Sequence, residues 1–184
     1  MPFNLSKEEF EKLFNELYYP TLEYRSLPKD YSCAKNVNSE ICSKCGGKCC
    51  KMCGCHFSPD DFEEISFESL KKEIEKGYIS IDLVDGELIY SEINVYILRA
   101  RNVNSPIVDY DYGERGQCIL LTESGCKLDY ENRPSGGKLL VPREATKCHQ
   151  NYTIKNCCYE WLPHKKILKN LADYFEDKDF PCSL

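Results

Sequence analysis

Six cysteines fall within fourteen positions: Cys42, Cys45, Cys49, Cys50, Cys53 and Cys55. No other feature restricts this chain as much, because so many thiols in so short a segment point to disulfides, shared cations or thiol chemistry. The whole chain carries thirteen cysteines, an odd number. Its first residues, Met1 to Glu8, lack a basic stretch followed by an apolar one, so no secretory signal is read there. The expected compartment is the cytosol, where thiols stay reduced and dense cysteines serve metals more often than disulfides. Free or redox-active thiols are the alternative reading.

Within the cluster, Cys42-x2-Cys45 has the spacing at which two sulfurs converge on one ion. Gly46 and Gly47 allow a tight turn towards Cys49 and Cys50. Adjacent cysteines share one ion with difficulty, so Cys49 and Cys50 are expected to serve different metals or a polynuclear centre. Lys44, Lys48 and Lys51 are interleaved with the thiols and offset the charge of a thiolate centre, or are simply solvated. Four sulfurs complete one tetrahedral site, and further ligands imply a second site or a cluster. Cys118, Cys126 and Cys148 lie near turns that bring sulfur back to the first segment, and His149 is a nitrogen alternative. Cys33, Cys157, Cys158 and Cys182 are weaker candidates, and burial in a helix is the expected fate of the adjacent pair. The expected ligand set is therefore Cys42, Cys45, Cys49, Cys50, Cys55, Cys118, Cys126 and Cys148.

The remaining sequence supports a modest core. Leu, Ile, Val and Phe make up about a quarter of the 184 residues, above the level of disordered chains. The net charge of −6 argues against a nucleic-acid or membrane surface as partner. No apolar run approaches the roughly 18 residues that span a bilayer.

Ser6 and Glu9 form a capping box ahead of the stripe Phe10, Leu13, Phe14 and Leu17, so a helix is expected there. Ser58-Pro59-Asp60-Asp61 reads as a second helix start, and Phe67 to Lys76 as a helix stopped by Gly77. Tyr78–Val84, Asp85-Gly86 and Glu87–Tyr90 read as a hairpin. Val95–Arg101 reads as a strand with Arg99 and Arg101 on one face, expected to meet solvent unless they hold a carboxylate or phosphate. Cys118–Leu121 and Cys126–Leu128 read as a second hairpin. After Pro142 the chain is expected to be helical, with the stripe Ile167, Leu168, Leu171 and Phe175. The fold class is α+β: one domain over residues 1–184, with a small antiparallel sheet and hairpins flanked by helices. Residues 40–150 form its cysteine-cluster core, organised around a metal site.

The run Cys42, Cys45, Cys49, Cys50 has the form CxxCxxxCC, and Cys118, Leu121, Cys126, Leu128, Arg133 and Pro134 follow as a second block. In both blocks, over about residues 40 to 150, the chain resembles the YkgJ family of cysteine-cluster proteins, described as zinc- or iron-chelating domains. The resemblance implies chelation of zinc or iron and supplies no reaction. One departure concerns Gly137, which stands where many relatives have a cysteine; either the site has lost a ligand, or Cys148 or His149 replaces it.

Residue types alone do not separate zinc from an iron–sulfur cluster. The crowded, cysteine-only spacing leans towards iron–sulfur, since Cys42/Cys45 and Cys50/Cys53 are too close for a standard zinc ribbon. Three functions remain open. The first is a metalloprotein with a structural, storage or electron-transfer site. The second is a metal-dependent redox or protein-modifying enzyme, with Arg99 and Arg101 as substrate-holding groups. The third is a protein-binding module with structural zinc, docking through Tyr110 and Tyr112. No nucleophile triad, phosphate loop or dinucleotide fingerprint is present.

Overall fold

The alternation in Ile79–Val84 does form a strand, but neither of its faces meets water. The computed structural model describes residues 29, 47, 49–89, 93–112, 116–123, 125–141 and 149–179. In this strand, β1 (Ile79–Val84), five of the six residues are buried. Its antiparallel partner is β2 (Val95–Ala100), with Ile79 opposite Ala100 and Val84 opposite Val95. On its other edge β1 pairs in parallel with β3 (Val108–Asp109), giving the order β2-β1-β3. The main sheet is therefore mixed, where an antiparallel one was expected.

The expected partner of β1, Glu87–Tyr90, is not a strand; Gly86–Ile89 is a 3-10 turn. Local hydrogen bonds explain this. The Asp85 carboxylate accepts from Glu87 N at 2.9 Å, and Asn94 Oδ1 accepts from Gly86 N at 3.0 Å. These side chains hold the backbone in a turn, and the chain reverses later, into β2.

Helix α1 (Phe67–Glu75) begins where Ser66 accepts from Ser69 N and ends two residues before Gly77, whose φ of +87° stops it. It buries Leu70 and Ile74. The stretch after Ser58 keeps its capping box but is only a 3-10 turn, Pro59–Asp61, not a helix. Asp61 Oδ2 accepts Ser58 N, and both Asp61 oxygens are then taken by Ser135, at 2.7 and 2.8 Å. That bond fixes α2 (Ser135–Lys138), a single turn, against the 56–61 segment.

Two small ribbons complete the sheets. Strands β4 (Leu121–Thr122) and β5 (Gly125–Cys126) form the expected second hairpin in shortened form, with Leu121 opposite Cys126. Strands β6 (Leu140–Val141) and β7 (His149–Gln150) form another, in a region where helix was expected. The C-terminal helices are α3 (Ile154–Trp161), opened by a Thr153 capping box, and α4 (Lys165–Asp179). Pro163 lies in the 3-10 turn between them. Helix α4 buries Leu168, Leu171 and Phe175 of the expected stripe together with Ala172, while Ile167 is half-buried. The fold is α+β. Among the described residues, no helix is long and apolar enough to cross a membrane. The helix expected after Ser6, with Phe10, Leu13, Phe14 and Leu17, lies outside the described residues.

The core joins the sheet to α1, α3 and α4. Trp161, fully buried, donates its indole N–H to Phe57 O at 2.8 Å, and Phe62 meets its edge. Trp161→Phe should therefore destabilise by about 2 kcal/mol, from one buried hydrogen bond and lost ring volume. A urea unfolding midpoint checks this.

Candidate metal centre

Three segments meet around the described cysteines. The first is a turn from Gly47 to Cys53: Gly47, at φ +72°, accepts Lys51 N, and Cys49 O accepts Met52 N and Cys53 N. The chain then straightens along the outer edge of β2. Phe57 N donates to Leu98 O and Ala100 N donates to Cys55 O, both at 2.9 Å, so His56 lies opposite Arg99. The second segment enters when Cys118 N donates to Cys50 O at 2.7 Å and Gly116 N to Met52 O. The hairpin carrying Cys126 follows directly, since Lys127 N bonds Leu120 O. The third is α2, where Gly136 N donates to His56 O at 3.0 Å.

This arrangement gathers Cys49, Cys50, Cys53, Cys55, Cys118 and Cys126, close enough for their charges to interact. Contact with Cys49, then burial, then the neighbouring thiols hold the Cys50 thiol far above its usual pKa. Burial first and the surrounding thiols second do the same at Cys55. Cys50 and Cys55 are thus protonated at pH 7 unless a cation offsets them. Cys49 Sγ and Cys50 Sγ are 3.9 Å apart. Among the described residues, no three Cys, His, Asp or Glu side chains are close enough to hold one ion.

Of the expected ligands, Cys49, Cys50, Cys55, Cys118 and Cys126 are thus brought together. Cys53, inside the cluster but outside the expected set, joins them. Cys42, Cys45 and Cys148 lie outside the described residues, as do Cys33, Cys182 and the side chain of His149. Cys157 and Cys158 are fully buried in α3, as expected of that pair, and the Cys157 thiol faces Phe57 O.

Gly137 stands beside Cys55. A Cβ built on it would lie 3.6 Å from Cys55 Sγ and 3.8 Å from Cys55 Cβ, ordinary contact distances. Disulfides have a Cβ–Cβ separation of about 3.8 Å. Gly137→Cys should therefore form a disulfide with Cys55 under mild oxidation, removing two thiols from a titration of the intact protein. Gly136 has no such room, since its Cβ would meet the His56 backbone at 2.9 Å.

Sequence patterning did not reveal the polar network on the face that carries His56 and Arg99. Arg99 is buried, not solvent-facing, and its guanidinium pairs with Asp82 and, at 3.4 Å, with Asp109. Ser80 donates to Asp82 at 2.5 Å. Asp109 also accepts Asp111 N, turning the chain so that Tyr112 Oη reaches His56 Nε2 at 3.0 Å. Burial, then the charge of Arg99, pushes the His56 imidazole down to about 4, so it is neutral at pH 7. Its Nδ1 and the Nε of Arg101 are buried without a hydrogen-bond partner. The usable signal was the register of β1 on β2, which sets Ser80 against Arg99. Of the two loop tyrosines, Tyr110 is exposed and Tyr112 is half-buried.

No family model, no curated protein and no solved structure matches this chain.

Proposed function

We propose that the chain is a cysteine-thiolate metal-binding protein. Its centre would be held by thiols of the 42–55 segment with Cys118 and Cys126. The separation of Cys49 and Cys50 carries this reading. Two sulfurs, each about 2.3 Å from a tetrahedral ion, lie about 3.8 Å apart. The observed 3.9 Å matches that edge, so the adjacent pair fits one ion. The donor set also fits, since thiolates select zinc, copper(I) and iron.

We take a mononuclear thiolate site, zinc first, as the first reading; a tetrahedral iron held by two thiolates has the same edge, so the distance does not separate zinc from the iron–sulfur cluster that cysteine spacing prefers. One observation keeps iron–sulfur as the second reading: six described thiols lie near enough for their charges to interact, more than the four that a single tetrahedral ion needs. The likeness to zinc- or iron-chelating cysteine-cluster proteins supports both.

The test is anaerobic purification of the full chain with metal analysis and a visible spectrum. One zinc per chain and no visible band is the expected result. Iron with acid-labile sulfide and a broad visible band selects the second reading. Neither metal, with every thiol titratable in the folded protein, would refute both. In the Cys49→Ser/Cys50→Ser double variant, metal content should fall at least about tenfold while the fold persists.

A further inference from the structure

We propose that Cys50 and Cys118 are a redox-reversible pair, joined by a disulfide when the chain meets a small-molecule disulfide and parted again by thiols. The inference goes beyond the metal-binding reading and needs two sulfurs rather than a set of ligands. Backbone geometry carries it. Cys118 N donates to Cys50 O at 2.7 Å. Standard bond lengths then keep the two Cα atoms within about 6.6 Å of each other. Disulfides span Cα separations of roughly 4.4–6.8 Å, so this placement admits the bridge. The side-chain directions agree. Asn102 and Cys118 lie opposite each other in an antiparallel bridge, which puts their side chains on one face. On that face Asn102 Oδ1 accepts Gly54 N at 3.1 Å, so the 50–54 segment covers it. The Cys50 and Cys118 thiols are near enough for their charges to interact.

The adjacent thiol is a poorer partner. Cys49 Sγ is 3.9 Å from Cys50 Sγ, but a bond between neighbouring residues closes a small ring and strains the peptide within it. Exposure sets the order of events. Cys50 is half-buried and Cys118 buried, so the incoming disulfide meets Cys50 first. The Cys50 sulfur bonds one sulfur of that molecule as its S–S bond breaks, and the departing thiol takes the Cys50 proton. The Cys118 sulfur then bonds Cys50 and displaces the second small thiol, which takes the Cys118 proton. Two protein thiols are oxidised and one small disulfide is reduced to two thiols. The new bond fastens the 47–53 turn to the segment that leads into the β4–β5 hairpin, and closes a loop that contains β1, β2 and β3.

The test uses oxidised glutathione on the full chain, freed of metal with a chelator because a sulfur held by a cation cannot exchange. Early in the reaction, non-reducing tryptic mapping should join residues 49–51 to residues 116–127 before any other pair. Cys50→Ser and Cys118→Ser should each abolish that link. Cys49→Ser and Cys126→Ser, which alter the other cysteines of the same two fragments, should keep it. The link should form about tenfold faster in the folded chain than in urea, where proximity is lost. It should raise the melting midpoint of the wild type by about 10 °C, and dithiothreitol should restore the starting value. A different first link, a link that survives Cys50→Ser or Cys118→Ser, or equal rates with and without urea would each overturn the proposal. So would thiols that all stay titratable after prolonged exposure. None of these outcomes bears on the metal-binding reading, which metal analysis tests separately.

Discussion

Gly54→Ala should leave no stably folded protein. A Cβ at Gly54 would sit 1.7 Å from Ala100 O and 2.6 Å from Ala100 C, both backbone atoms of β2. No rotamer relieves that contact, so the 53–57 segment must leave the sheet. It would take with it the bonds from Phe57 N to Leu98 O, from Ala100 N to Cys55 O and from Gly54 N to Asn102 Oδ1. Phe57 would also lose its place under Trp161, and the six thiols would lose their common frame. The expected cost exceeds about 5 kcal/mol, the upper end for single substitutions and comparable with a domain's entire stability. Gly77→Ala is the control. It meets nothing within 4 Å and carries only the strain of φ +87°, about 1 kcal/mol. Circular dichroism melts of the two variants should therefore differ from each other far more than Gly77→Ala differs from the wild type.

Replacing Arg99 with Leu should cost about 3–5 kcal/mol at pH 7, because two buried carboxylates would be left without their cation. The loss should depend on pH in a definite direction. Burial pushes the Asp82 carboxyl above its ordinary 3.8, against the opposing pull of Arg99 and the hydrogen bonds from Ser80 and Arg99. A carboxyl whose folded pKa is raised binds its proton more readily in the native state than in the unfolded one. Its contribution to stability is therefore greatest below the unfolded pKa and declines as pH rises through the folded value. Without Arg99 that folded value climbs further, so the decline lengthens. Arg99→Leu should thus be closest to wild type near pH 4 and furthest from it at neutral pH. Urea midpoints measured across that range check the sign, and a penalty independent of pH would remove Asp82 from the explanation.

Much of the fold was legible because it rests on local chemistry. The helical pattern from Phe67 and the stop at Gly77 mark α1, period-two alternation marks β1, and the spacing of Leu168, Leu171 and Phe175 marks the buried stripe of α4. What failed was pairing. Asp85-Gly86 looks like a tight hairpin turn, yet Asn94, eight residues further along, takes the Gly86 N–H and delays the reversal. A polar alternate residue ordinarily signals a wet face. In β1, Ser80 and Asp82 are dry because Ser80 donates to Asp82 and Arg99 arrives from β2 to pair with Asp82, while Asp109 of β3 pairs with the same guanidinium.

For the candidate centre, the division follows the same line. The sequence by itself determined which residues are chemically suited to a metal, since thiols packed at one- to four-residue spacing are placed together by the covalent chain. It also pointed to Cys118 and Cys126 as sulfur near a turn. Only the tertiary structure decided that Cys49 and Cys50 are 3.9 Å apart, that Cys53 is exposed while Cys118 is buried, and that Gly137 lies against Cys55. Apart from the Cys49–Cys50 distance, these placements depend on segments far apart in the chain. They are set by backbone hydrogen bonds such as Cys118 N to Cys50 O and Gly136 N to His56 O, in which any residue but proline can act as donor, so side-chain identity does not encode them.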